Sequence, residues 1–240
     1  MTGGAPLGAS FDPDRISALR PATGGPSAPG SPGDRSRFAA TRRNWARAGV
    51  LVGAFVILLY LIESVDSLID YCLDCSAGIK PRAVDGLDGI LFAPLLHGSW
   101  DHLIGNTLPV LILGFLTLAT GIRRGLAATA IVWLVAGVGT WLTGGSYSVH
   151  IGASSLVFGW LTYLICRGVF ARQAGQIVLG LVVLVCYGSL LWGVLPGQDG
   201  ISWQGHLFGA MGGLLAGWVL SSDERRHRRQ LRTGPPVSPR

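Results

Sequence analysis

The distribution of apolar residues along the chain predicts a membrane protein built from helices. Six apolar segments follow a polar N-terminal stretch, at about 46–65, 103–120, 125–143, 151–170, 175–195 and 205–221. Several approach the ~20 residues that an α-helix needs to cross the hydrocarbon core of a bilayer. None carries Lys, Arg, Asp or Glu at its middle. This argues against an ion-coupled transporter, which usually needs charge inside the membrane.

The composition supports this class and separates the two ends from the centre. The chain has 240 residues, 49% hydrophobic and only 13% charged, whereas soluble domains carry about 25% charge. Residues 1–44 are rich in Pro, Gly, Ser and Arg and predict a disordered basic tail. Residues 45–221 hold the membrane domain, and 222–240 form a second basic tail. The arginines flank the apolar segments and do not alternate with aromatic residues, which argues against a nucleic-acid partner.

The positions of the basic residues predict the orientation in the membrane. With six spans, both arginine-rich tails fall on one side, whereas the loop 66–102 on the other side holds only Lys80 and Arg82. Because cytoplasmic loops are enriched in Lys and Arg, we expect both termini in the cytoplasm, with the protein in the plasma membrane. The outer loop also carries Cys72 and Cys75, a C-x-x-C that can form a disulfide or bind a metal.

Polar residues with catalytic potential collect at the outer ends of three of these segments. Ser154 lies at the start of the fourth, His206 at the start of the sixth, and His102 and Asn106 at the start of the second. His102 and Asn106 are four residues apart, so they share one face of a helix. The pattern therefore predicts that these side chains lie at one depth, just below the outer surface.

These residue types suit acyl transfer. A serine hydroxyl becomes a good nucleophile when a base such as the His206 imidazole takes its proton. The backbone N–H of Ser154, the Asn106 amide and the His102 ring can stabilise the oxyanion that forms. Gly152 lets the backbone approach a substrate closely, and Phe158, four residues after the serine, can wall the imidazole.

Each residue also has a simpler interpretation. The stretch from Gly152 to Ser155 resembles the small-residue patches with which membrane helices pack. Asn106 can form a hydrogen bond that holds two helices together, and His206 can bond a nearby carbonyl. His97 and His150 are interpreted as residues of the outer loops. The convergence of Ser154, His206 and Asn106 is what favours catalysis.

Three motifs together resemble the rhomboid intramembrane serine proteases. They are His97-x4-His102-x3-Asn106, Gly152-Ala153-Ser154 with Phe158, and His206-x2-Gly209-x3-Gly213. The resemblance covers about 46–221 and implies an all-α membrane protein with a six-transmembrane-helix bundle. It also implies a serine endopeptidase that hydrolyses peptide bonds in or near transmembrane segments. The chain departs from the family at Ser155, where the family usually has glycine, and it lacks the family's Trp-Arg pair before His97.

By this resemblance Ser154 and His206 form the catalytic dyad, and Asn106, His102, Gly152 and Phe158 stabilise the oxyanion or position the substrate. We expect no cofactor and no metal. The expected partners are transmembrane protein substrates and the lipid bilayer, and the sequence does not set the oligomeric state.

Two alternatives differ in chemistry. One is a metalloprotease that uses His97, His102, His150 and His206, but no H-E-x-x-H is present and His97 and His102 are five residues apart, a poor spacing for one helical face. The other is a rhomboid-like membrane protein that binds or chaperones other membrane proteins without cleaving them.

Overall fold

A computed structural model describes residues 32–69, 72–197 and 200–233. The chain divides into two compact units, Met1–Thr41 and Arg42–Arg240. The described part of the first unit, residues 32–41, is helical. Residues 1–31 and 234–240 lie outside the described residues, so the disorder predicted for the first of these stretches stays a prediction.

The described residues form helices joined by short turns. The helices are α1 (Pro32–Leu68), α2 (Leu73–Ala77), α3 (Gly89–Phe92), α4 (Trp100–Ala119), α5 (Ile122–Thr143), α6 (Ser154–Ala171), α7 (Ala174–Tyr187) and α8 (Trp203–Thr233). Single 3-10 turns occupy Val84–Gly86 and Ala93–Leu95, and a longer 3-10 stretch, Gly188–Val194, continues α7. The predicted all-α fold is confirmed.

Five helical stretches are long and apolar enough to cross a membrane: Phe38–Leu68, Trp100–Ala119, Ile122–Thr143, Ser154–Ala171 and Ala174–Val194. They match the first five predicted segments. The sixth segment, 205–221, lies inside α8, which is not among these five by the same measure of length and hydropathy. The protein is an integral membrane protein with this helical bundle, and a count of six spans stays a prediction.

The outermost predicted boundaries differ from the observed helices. α1 begins at Pro32, so residues 32–44 of the predicted disordered tail are helical. Similarly, α8 continues to Thr233, well into the predicted tail 222–240. Extending an existing helix costs far less than nucleating one, so a polar flank can continue a helix that the apolar segment has started.

Helix α6 lies at the centre of the bundle. Its membrane-spanning window is 67% buried inside the protein, compared with 22% for α1 and 11% for the span that contains α7. The peripheral helices expose apolar side chains, as helices that face lipid do. Ser154, the first residue of α6, therefore begins the helix with the most extensive protein contacts.

Helices α6 and α8 pack with their backbones almost in contact. A Cβ built on Gly209 would collide with the carbonyl of Ser155, and one built on Gly213 would collide with the carbonyl of Gly159. At the same crossing, the Thr162 hydroxyl donates a hydrogen bond of 2.8 Å to the carbonyl of Ala210. Small residues allow this approach, and it fixes the start of α8 beside the start of α6.

We expect Gly213→Ala to lower the free energy of unfolding by about 1–3 kcal/mol, because its methyl group overpacks the crossing of α6 and α8. The measurement is thermal unfolding of the full chain in detergent micelles. The matched control is Gly53→Ala in α1, where an added Cβ has no atom within 4 Å. Similar losses in both variants would contradict the packing described here.

Candidate active site

Ser154 is held at the start of α6 by an anchored turn. Gly152, two residues before the serine, has a φ of +114°. The N–H of Gly152 donates to the carbonyl of Ala93 over 2.8 Å. The N–H of Ala153 points to Nε2 of His97 at 3.5 Å. Because α6 begins at Ser154 and not at the predicted position 151, the serine lies in the first turn, where backbone N–H groups lack helical partners.

The hydroxyl of Ser154 contacts the imidazole of His206, with 2.9 Å between Oγ and Nε2. The other ring nitrogen, Nδ1, lies 2.9 Å from the carbonyl oxygen of Gly193. A carbonyl only accepts hydrogen bonds, so Nδ1 carries the proton and Nε2 is left to accept from the serine. The structure thus brings together the two residues that the sequence predicts as a dyad.

The His206 ring is also held from one face. Phe158 stacks on it with 4.0 Å between ring centroids and 9° between the ring planes. An added Cβ on Gly193 would lie 2.8 Å from Cζ of Phe158, so a glycine is needed where this carbonyl meets the imidazole. Together the carbonyl and the phenyl ring restrict the imidazole to one orientation.

Two further predicted residues lie beside the serine. Asn106 is buried, and its Nδ2 has no hydrogen-bond partner among the described residues. The His102 ring packs against Gly152, where a built Cβ would lie 2.8 Å from Cε1 of His102 and 3.5 Å from Oγ of Ser154. The absence of a side chain at Gly152 therefore leaves room for the His102 ring against the turn that carries Ser154.

A cavity of about 850 Å³ joins these groups. Its lining includes Ser154, His206, His102, Asn106 and Phe158, together with residues of the 3-10 stretch that follows α7. This volume lies within the roughly 300–1,000 Å³ usual for ligand pockets. It is large enough to hold several residues of an extended peptide.

The histidines do not form the ligand set that the metalloprotease alternative requires. No group of three or more His, Cys, Asp or Glu side chains in the described ranges has an arrangement that could hold a metal ion. His97 packs edge-on against His102, with centroids 5.1 Å apart, whereas His150 bonds Ser148 and Ser202. In the segment between α1 and α4, Cys72 and Cys75 form a disulfide, one of the two outcomes left open by the sequence.

Sequence reasoning missed the carbonyl of Gly193, because every residue has a carbonyl and the sequence gives no sign of where one points. It also assigned His150 to a loop or interface role without partners. The signal that could have marked His150 as a candidate site residue is its position four residues before Ser154, on the turn that positions the serine.

Comparison with known proteins agrees with this geometry. The family model of the Rhomboid domain matches residues 86–223. The chain belongs to the rhomboid family. Its relatives include an uncharacterized protein, Rv1337, of Mycobacterium tuberculosis (strain ATCC 25618 / H37Rv), 49% identical over 201 residues that cover 80% of this chain and 83% of the relative.

Two other relatives extend the comparison. The uncharacterized protein ML1171 of Mycobacterium leprae (strain TN) is 45% identical over 195 residues, 78% of this rhomboid chain and 77% of the relative. A more distant protein of Bacillus subtilis (strain 168), named "Putative rhomboid protease YdcA", is 26% identical over 136 residues, 55% of this chain and 67% of its own.

The structure accommodates the serine that follows Ser154 in this rhomboid protein. Ser155 approaches α8 through its backbone carbonyl, which faces Gly209. The space for the close crossing is therefore provided by the glycine of α8. A side chain at position 155 is compatible with this crossing.

Burial of His97 makes the stability of this rhomboid protein sensitive to acid. Burial, and then the neighbouring His102, lower the pKa of His97 to about 4. In the unfolded chain this imidazole binds its proton with an ordinary pKa near 6.5. The free energy of unfolding therefore has its full value above pH 6.5 and falls by up to about 3 kcal/mol as the pH drops towards 4. We expect His97→Gln, whose amide oxygen can still accept from Ala153, to lose less stability over this range.

Comparing how the stability of the wild type and of His97→Gln changes with pH separates the titration of His97 from that of other groups. The pKa of Asp74 is raised to about 6 by burial and by Asp66 and Glu63, so protonation of this carboxyl opposes the acid effect in both proteins alike. Unfolding midpoints in detergent, measured from pH 7 to pH 4.5, give the slopes. Parallel slopes for the wild type and His97→Gln would rule out His97 as the cause.

Proposed function

We propose that this rhomboid protein is a serine endopeptidase that hydrolyses peptide bonds in or near transmembrane segments of membrane proteins. The observation that carries the proposal is the 2.9 Å contact between Oγ of Ser154 and Nε2 of His206 at the wall of a cavity. A hydroxyl paired with an unprotonated imidazole nitrogen is the arrangement that activates a serine.

In the proposed reaction, Nε2 of His206 takes the hydroxyl proton while Oγ of Ser154 bonds to the carbonyl carbon of the scissile peptide. The oxyanion collapses, the C–N bond breaks, and the leaving nitrogen receives the proton from Nε2. Water then attacks the acyl ester and gives a proton to Nε2, and this proton returns to Oγ as the acid product leaves. His206 thus serves as base and acid in both halves.

The oxyanion requires hydrogen-bond donors that are present before the reaction begins. We assign this role to the backbone N–H of Ser154, the amide of Asn106 and the ring of His102. The support is the buried, unpartnered Nδ2 of Asn106, which lines the cavity. Leaving such a donor without a partner costs about 1–3 kcal/mol, a cost that the oxyanion would remove.

The substrate class follows from the site's position in a membrane bundle. A transmembrane helix must unwind before its carbonyl is open to attack, and its freed backbone groups then need water or protein partners. The cavity has room for water, and polar side chains such as Asn106 and His102 line it. We further propose that the site lies near the outer face of the plasma membrane and that both termini are cytoplasmic, since the arginine distribution favours this orientation.

We expect Ser154→Ala and His206→Ala each to reduce cleavage of a transmembrane test substrate by about 10³-fold or more, because each removes one half of the dyad. The measurement is cleavage by the full chain in liposomes, followed on gels. The matched control is Ser222→Ala, since this serine lies far along α8 from His206 and its hydroxyl donates to the carbonyl of Val219 in the same helix.

EDTA separates the alternatives in the same assay. Cleavage by the wild type should survive EDTA, because no step uses a metal. Activity that persists in Ser154→Ala would end the serine-protease proposal, and activity abolished by EDTA alone would indicate a metalloprotease. Tight binding of substrates without cleavage would indicate the non-catalytic role.

A further inference from the structure

His150 lies at a junction between the elements that carry the two dyad residues. It is 8% exposed, and it precedes Ser154 by one short turn. Its backbone pairs in both directions with Ile79 of the outer loop, with N–H to carbonyl distances of 3.0 Å each way. Its ring also packs against the end of α5, where a Cβ built on Gly144 would lie 2.6 Å from Nε2.

Both ring nitrogens of His150 bond hydroxyl groups, and the donors can be assigned. The hydroxyl of Ser148 donates to the carbonyl of Gly145 over 2.8 Å, so its oxygen accepts from Nε2–H of His150, also at 2.8 Å. A neutral imidazole carries a single ring proton, here on Nε2, so Nδ1 is an acceptor. Burial lowers the pKa of His150, which favours this neutral form. The hydroxyl of Ser202 then donates to Nδ1 over 2.7 Å.

Ser202 in turn holds the first turn of α8. Its Oγ accepts from the N–H of Gly205 at 3.2 Å, and its carbonyl accepts from the N–H of His206 at 3.1 Å. A hydroxyl in this place caps a helix N-terminus. The bond between His150 and Ser202 therefore links the turn before Ser154 to the turn that carries His206.

We propose that His150 is a positioning residue that sets the distance between Ser154 and His206 through its bond to the Ser202 cap. The inference rests on the proposed serine-protease function. The glycine contacts bring α8 against α6 from Ser155 onward, and the bond from His150 to Ser202 adds a second constraint, between the turn before Ser154 and the cap of α8. Small displacements of reacting groups reduce rates strongly, so this link should affect turnover more than substrate binding.

A simple structural role for a loop histidine predicts a different result. Such a residue would contribute to folding, and its loss would lower the melting temperature without a specific effect on kcat. The two roles are separated by His150→Leu, which keeps the bulk and loses both ring bonds, and by His150→Asn. The Asn amide oxygen can take the place of Nδ1 and still accept from Ser202.

The test uses the full chain in liposomes and measures kcat and KM for a transmembrane substrate, together with the rate at which a fluorophosphonate labels Ser154. We expect His150→Leu to lower kcat and the labelling rate by about tenfold or more, with KM changed less than about twofold. His150→Asn should stay within about threefold of the wild type, and so should the control Ser146→Ala, a serine of the same loop that bonds Arg82.

The double variant His150→Leu/Ser202→Ala tests whether the bond between the two residues is what matters. Because both changes break the same link, the double variant should be no slower than the slower single variant. Fully multiplicative effects, equal losses in His150→Asn and His150→Leu, or wild-type rates in His150→Leu would each overturn the proposal. If His150→Leu does not fold, an unchanged labelling rate in Ser202→Ala overturns it instead.

These outcomes differ from a failure of the proposed function. A wild-type chain that neither cleaves nor labels, or a Ser154→Ala variant that still cleaves, would remove the serine-protease proposal, and the inference with it. Normal wild-type activity with unaffected His150 variants would remove the inference alone.

Discussion

The close contact between the backbones of α6 and α8 places Ser154 and His206 side by side. Gly209 and Gly213 allow the two helices to approach until main-chain atoms touch, and the hydrogen bond from Thr162 to Ala210 spans the same crossing. Inside a bilayer, apolar side chains gain little by leaving lipid, so such close packing and interhelical hydrogen bonds are what hold helices together. In the first turns of the two helices, next to this crossing, Ser154 and His206 lie within hydrogen-bond distance.

Among the residues that the structure describes, no carboxylate bonds the imidazole of His206. In serine proteases that use a triad, an acidic side chain holds the tautomer of the histidine. Here the carbonyl of Gly193 contacts Nδ1, and the ring of Phe158 covers one face. A neutral acceptor stabilises an imidazolium less than a carboxylate does, but it avoids placing an additional charge in a buried site, where desolvation is expensive. The geometry of the dyad is therefore set by packing and by one backbone group.

The sequence predicted much of this arrangement, and the reasons are physical. Long apolar segments locate helices reliably because a bilayer demands about 20 residues per span. Helix periodicity places His102 and Asn106 on one face of a helix. The small residues around Ser154 and along α8 indicated close helix packing. The roles of these residues stay predictions until activity is measured.

Other features had no readable signal. The carbonyl of Gly193 comes from a 3-10 stretch whose path depends on tertiary packing. The partners of His150 stand both before and after it in the sequence, and one of them, Ser202, is 52 residues away. The extension of α1 to Pro32 was also not predicted, because polar residues next to a stable helix can be helical or not, depending on their surroundings.

The contact between Ser154 and His206 is tested most directly by an experimental structure of the full chain in lipid nanodiscs after reaction with a phosphonate. The account predicts phosphorus bonded to Oγ of Ser154, the His206 ring adjacent, and the phosphoryl oxygen directed towards Asn106 and His102. A phosphonate attached to another residue, or a serine and a histidine too far apart to bond, would contradict it.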